Sequence, residues 1–177
     1  MAPPYAIIQP KTLIFDTGPL WEYIVYSAVN WRAFASLSGE LRDVKNPAEF
    51  ERFKFFISRF PAKKTTPHVV TEISRRIFKT KQAQRERKGI WESVYRAFDD
   101  LGMHEEFFSL ATMPSDLVGR LGAADVSLIQ LGKELGETRH KILTVDGPFA
   151  FECIQAGLEA VLLSRMLAAE DPNAYTD

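Results

Sequence analysis

The chain has 177 residues, 46% of them hydrophobic and 25% charged, with a net charge of -1. That length suits one domain with a real core, and the ordinary residue usage excludes a disordered or fibrous class. No basic excess exists, so any nucleic-acid footprint must be local, and a single cysteine, Cys153, rules out an internal disulfide and fits a reducing compartment.

Met1 to Lys11 is broken by prolines and holds no apolar run of signal-peptide length. No stretch approaches the roughly 18 apolar residues of a membrane span, so a soluble cytoplasmic protein without a membrane partner is expected. Leu13-Ile14-Phe15 is a short run, apolar on both faces, that ends at Asp16-Thr17-Gly18-Pro19; it predicts a buried parallel strand and a sharp turn. Leu20 to Trp31 reads as a helix, and Ser36 to Asn46 as loop. Pro47 to Phe60 predicts a second helix, with Phe50, Phe53, Phe56, Ile57 and Phe60 as its apolar stripe. Thr65-Thr66-Pro67 resembles a capped helix start, followed by Val69, Ile73 and Ile77 at helical spacing.

Ile90 to Leu101 predicts a further helix, and Phe107 to Ala111 a strand. Gly122 to Leu135 is strongly helical, with Leu121, Leu128, Leu131 and Leu135 recurring in phase. Lys141 to Asp146 reads as a strand, Phe149 to Gln155 as a helix stopped by Gly157, and Ala160 to Leu163 as a short strand. Alternating strands and helices predict an α/β fold: a three-layer sandwich with a mostly parallel central sheet of four to five strands. No repeat or linker divides the chain. A single domain over 1–177 is expected, with its core at about 11–164 and a tail at 165–177.

Four acids fit this layout as a group. Asp16 and Asp146 end apolar strands, and ligands of parallel sheets bind at that edge. Glu72 and Asp125 are read as lying early in helices, where the dipole favours negative charge. Asp125 stands out because Leu121, Leu128 and Ile129 put it within the apolar stripe. A buried carboxylate needs a cation or a basic partner, and clustered carboxylates repel one another. Oxygen-only ligation selects Mg2+ or Mn2+ over zinc. Such an ion can lower the pKa of a water and neutralise phosphoryl charge. Taken singly, each acid could equally be a cap or a turn residue.

Other features carry less. The stretch from Arg75 to Lys88 has Glu86 as its only acid; it is either a solvated face or a phosphate-contacting strip that includes Arg75, Arg76 and Lys79. His68, His104 and His140 lack metal-ligand spacing, Cys153 reads as a small buried hydrophobe, and Trp21, Trp31 and Trp91 read as packing residues. Asp16-Thr17-Gly18 matches the aspartic-protease triplet, but that chemistry needs two such aspartates on a β-rich scaffold. An aspartyl-phosphatase turn would need a second aspartate where Gly18 stands.

In order along the chain, Leu13-Ile14-Phe15-Asp16-Thr17-Gly18-Pro19-Leu20, Pro67-His68-Val69-Val70-Thr71-Glu72-Ile73, Ala123-Ala124-Asp125-Val126-Ser127-Leu128-Ile129 and Ile142-Leu143-Thr144-Val145-Asp146 resemble the acidic motifs of the PIN-domain family. The resemblance spans residues 12 to 163. It implies metal-dependent hydrolysis of RNA that leaves a 5′-phosphate and a 3′-hydroxyl. Asp16, Glu72, Asp125 and Asp146 would be catalytic metal ligands, with Thr17 and Thr144 as accessory residues. Many relatives are VapC-type toxins, so an antitoxin protein and a homodimer join RNA as expected partners. Two departures stand against the pattern. Gly147-Pro148 follow Asp146 where some members carry a further acid, and the segment from Asn30 to Pro61 is longer than in compact toxins. A PIN-like module that binds RNA without cutting is the alternative, and the presence of all four acids argues against it.

Overall fold

The computed structural model describes residues 12–28, 43–79, 84–136, 140–169, 171 and 175. The strands are β1 (Thr12–Phe15), β2 (Ala62–Thr65), β3 (Met103–Glu105), β4 (His140–Thr144) and β5 (Ala160–Leu162). Among the described residues the helices are α1 (Thr17–Ser27), α2 (Pro47–Ser58), α3 (Pro67–Lys79), α4 (Gln84–Leu101), α5 (Ser115–Leu121), α6 (Ala123–Leu135), α7 (Gly147–Gln155) and α8 (Leu163–Ala168). The five strands form one parallel sheet in the order β3-β2-β1-β4-β5. Every residue of β1 and β4 is buried. Successive strand residues point to opposite faces, so helices must cover both sides of the sheet, which makes three layers. The fold is the α/β sandwich that the alternating pattern predicts. None of its described helices is long and apolar enough to cross a membrane.

The helical stripes pack as their spacing dictates. Val69, Ile73 and Ile77 of α3 are all fully buried, as is Phe53 of α2. Asn46 caps α2 by accepting the Glu49 N–H at 3.0 Å, and Pro47 occupies its first turn. Phe50 then meets Tyr26 of α1 at 5.0 Å and Tyr23 at 5.6 Å between ring centroids. Helix α1 also packs on α3 and α4, and α3 packs on α6. Trp21 is buried and Trp91 packs against the core, whereas Trp31 and the rest of 29–42 lie outside the described residues.

Several predictions need correction. The strand expected at Phe107 to Ala111 is instead β3 at Met103–Glu105, and a 3-10 turn occupies Leu110–Thr112. Phe107 is 75% exposed while Phe108 is buried, so that apolar run supplies one anchor and not a two-sided strand. Strand β2 escaped prediction because its Ala-Lys-Lys-Thr sequence looks polar; Lys64 covers the sheet with its stem and pairs with Glu106. The expected tail at 165–177 starts inside α8, where Met166 and Leu167 are buried in the core. Helix α5 was also not anticipated; it turns into α6 at Gly122, whose φ of 93° and ψ of 160° suit glycine alone.

Candidate metal centre

Strand order decides where a site can form. From β1 the chain builds outward through β2 and β3, then crosses back to place β4 and β5 on the other side of β1. The reversal lies between the carboxyl ends of β1 and β4, which is where open parallel sheets bind ligands. Asp16 follows the last residue of β1, and Asp146 stands two residues beyond β4. The Asp16 N–H donates to the Leu143 carbonyl at 3.0 Å, carrying the ladder into the turn.

Two threonines organise the acids. Thr144 Oγ1 donates to Asp16 Oδ2 at 2.6 Å and accepts the Asp146 N–H at 2.9 Å, tying the two turns together. The Thr17 N–H donates to Asp16 Oδ1 at 2.5 Å, and its hydroxyl donates to Glu72 Oε2 at 2.7 Å. Both residues named as accessory therefore contact the acids directly. Asp146 Oδ1 accepts the Phe149 N–H at 3.0 Å as the cap of α7. Asp125 lies in the first turn of α6, as expected, but Glu72 does not lie early in its helix. It is the sixth residue of α3, beyond the reach of the N-terminal dipole, and Thr17 positions it instead.

A second latch joins the helices that carry Glu72 and Asp125. Thr66, just before α3, shares a 2.7 Å hydrogen bond with Ser127 of α6, both fully buried. Thr66 thus starts α3 through its carbonyl, which accepts the Val70 N–H at 3.2 Å, while its side chain reaches across to α6. Gly18 and Val145 form the third contact: a Cβ on Gly18 would lie 2.3 Å from Val145 Cγ2. Only a glycine lets the β1–α1 turn approach the β4–α7 turn this closely. The sequence marks none of these four residues as part of a site, beyond the turn and cap roles of Gly18 and Thr66.

The electrostatics register how near the acids are. Burial pushes the Asp16 carboxyl up to about 6; hydrogen bonds from Thr144 and Thr17 pull it down, and the charges of Glu72 and Asp146 add to the rise. Asp125 is pushed up to about 7, first by burial and then by Asp16, Glu72 and Asp146. Among the described residues, its carboxylate takes no hydrogen bond, and none of the four acids forms a salt bridge. Cys153 of α7 feels the same field: burial, Asp125 and Asp16 push its thiol up to about 12, which makes it an inert core residue. His68 and His140 are spent on the Phe108 and Gly136 carbonyls, at 3.1 and 2.9 Å.

In charge and chemistry this donor set suits a hard cation: among the described residues no basic side chain pairs with any of the four carboxylates, and the neighbouring acids raise Asp16 and Asp125. The spacing is looser. Among the described residues, no three His, Cys, Asp or Glu side chains stand close enough together to grip one ion. Glu72 and Asp146 are exposed, and each has one carboxylate oxygen unclaimed by a described partner.

Arg76 and Lys79 follow Glu72 by four and seven residues along one side of α3, with Arg75 further round. None of the three has an ion pair among the described residues. Lys81 and the side chain of Arg85, from the same basic run, lie outside the described residues. Compared with protein-family models, curated proteins and solved structures, the chain shows no match in any of the three.

Proposed function

We propose that this protein is a metal-dependent endoribonuclease, with Asp16, Glu72, Asp125 and Asp146 as ligands for Mg2+ or Mn2+ and RNA as its substrate. One observation carries the reading: Asp125 is a half-buried carboxylate with no hydrogen bond among the described residues, in the field of three other acids that include Asp16 at the end of β1. Structural carboxylates are usually tied by donors or cations, and leaving one bare beside three like charges costs stability that a bound cation would return. The four-motif resemblance to PIN domains gives this site its chemistry.

When bound, the cation would supply charge neutralisation at a phosphoryl oxygen and a more acidic water. The chain's own residues do the rest. Thr144 keeps the buried Asp16 oriented and favours its charged form. Thr17 holds Glu72 toward the same edge. Water adds to phosphorus, the bond from phosphorus to the 3′-oxygen breaks, and that oxygen takes a proton, leaving the 5′-phosphate and 3′-hydroxyl that the resemblance implies. Arg75, Arg76 and Lys79 contribute phosphate contacts next to Glu72. A toxin role, held in check by an antitoxin protein or exerted as a homodimer in the cytoplasm, is the narrower form of the same reading.

The open spacing of the acids favours one second reading, a module that binds RNA without cutting it. Incubating labelled RNA with the protein in manganese, magnesium or chelator separates the two. Cleavage with either ion and none in chelator is expected; cleavage that persists in chelator overturns the metal mechanism. Binding without cleavage in either ion selects the second reading.

A further inference from the structure

Helix α3 buries Val69, Ile73 and Ile77, so its opposite side faces outward. There Thr71, Ser74, Arg75, Phe78 and Lys79 line an open depression of about 480 Å³. Phe78 is 59% exposed there. The Arg87 guanidinium, from α4, lies over one face of that ring, 5.8 Å from its centroid, so a base would stack on the other face. Arg75 and Lys79 line the same depression and have no ion pair among the described residues. Phe78 follows Glu72 by six residues, or about 9 Å along the helix axis.

From this arrangement we infer a subsite for one unpaired nucleotide, its base stacked on Phe78 and its phosphate held by Arg75 and Lys79. A flat ring offers a π-face to any base, guanidinium and ammonium groups meet phosphate oxygens, and the Ser74 hydroxyl can reach a sugar or base edge. Duplex bases are already stacked on one another and cannot present a face to Phe78, so the subsite selects a single strand. A depression of this size accommodates a nucleotide, and an acidic peptide would make no use of the ring's flat face. The inference deepens the nuclease reading, because the subsite would hold the strand about 9 Å along α3 from Glu72.

The test measures binding apart from cleavage. Fluorescence anisotropy would use a labelled twelve-residue oligoadenylate, and a duplex of equal length, in chelator over a salt series. Phe78→Ala should weaken single-strand binding by about 5- to 150-fold, the range for one lost stacking contact. Its salt dependence and its duplex binding should not change, and Phe78→Trp should bind at least as well as wild type. Arg75→Gln with Lys79→Gln should instead flatten the slope of log affinity against log salt by about 0.7, the value for one single-strand phosphate. The inference is overturned if wild type does not bind the oligoadenylate, if Phe78→Ala binds it as wild type does, or if single strand and duplex lose affinity equally. It is also overturned if Phe78→Ala acts by dissociating a dimer seen in sedimentation. Retained binding with no cleavage in manganese would sink the nuclease reading alone; cleavage that is blind to Phe78 would sink the subsite alone.

Discussion

The turns after β1 and β4 look alike in sequence, each a buried strand, an aspartate and then a helix, yet they are built for different work. Asp16 is only 7% exposed and both of its oxygens are held, by the Thr17 N–H and the Thr144 hydroxyl. Asp146 is exposed, and among the described residues just one of its oxygens is engaged, by the Phe149 N–H. The first turn is fixed by the fold, whereas the second keeps a free oxygen to offer. A site that needs both precision and access can divide the two between its ligands, and Thr144 is the strap that joins them.

The largest effect expected is on hydrolysis. If the two aspartates serve one ion, Asp16→Asn and Asp146→Asn should each lower the RNA cleavage rate by more than about 100-fold, the upper range for losing even an outer partner of a metal ligand. The double variant should be little worse than either, because residues acting as one unit are not additive. Single-turnover rates in saturating manganese measure all three. Independent, multiplying losses would mean that the turns act separately, and an Asp16→Asn protein cutting at the wild-type rate would remove Asp16 from the chemistry.

The next effect concerns the contact between the turns. Gly18→Ala forces a methyl group against Val145, which must shift and carry the β4–α7 turn with it. Overpacking of this kind costs about 1–3 kcal/mol, so the melting temperature should fall. The rise in melting temperature produced by manganese should shrink as well, since Asp146 moves away from Asp16. Adding Val145→Ala makes room and should restore much of both. A Gly18→Ala protein that melts and responds to manganese as wild type does would show that the turns adjust freely.

What could be read from the sequence follows from which contacts are periodic. Strands β1 and β4 and the stripes of α2, α3 and α6 carry their burial in their spacing, so the α/β sandwich was legible, and so was the rim where Asp16 and Asp146 stand. Strands β2 and β3 were not, because a sheet can bury lysine stems and accept a three-residue edge strand with little hydrophobic signal. The dipole argument for Glu72 failed for a related reason: its placement comes from the Thr17 hydroxyl, a contact between residues far apart in the chain. The Thr66–Ser127 latch and the Gly18–Val145 approach are of the same kind. Single residues meeting across the fold leave no pattern along it.

The smallest effect expected is a pH-dependent one, and it tests whether Asp125 belongs with the buried Asp16 or the open Asp146. Asp125 rises from an ordinary value of 3.8 to about 7 in the folded protein. Between those values the folded chain keeps a proton that the unfolded chain has lost, so without metal this group's contribution to stability declines as pH rises and levels off above about 7. Asp125→Asn removes the titration. The variant and wild type should melt together only below about pH 3.8, where the acid is protonated in both states; at pH 5 the unfolded chain is already ionised, so the variant should be slightly ahead. By pH 8 the variant should melt a few degrees higher; about 1 kcal/mol corresponds to roughly 2–4 °C at this chain length, and the half-exposed position of Asp125 keeps the effect near that scale. Manganese should reverse the order at pH 8, since it binds the deprotonated wild-type site and not the variant, and protons compete with it at pH 5. Melting curves of both proteins at pH 5, 6, 7 and 8, with and without manganese, give the crossing directly. A constant difference across pH without metal would place the Asp125 charge in solvent, grouping it with Asp146, and an unchanged order in manganese would mean that Asp125 holds no cation.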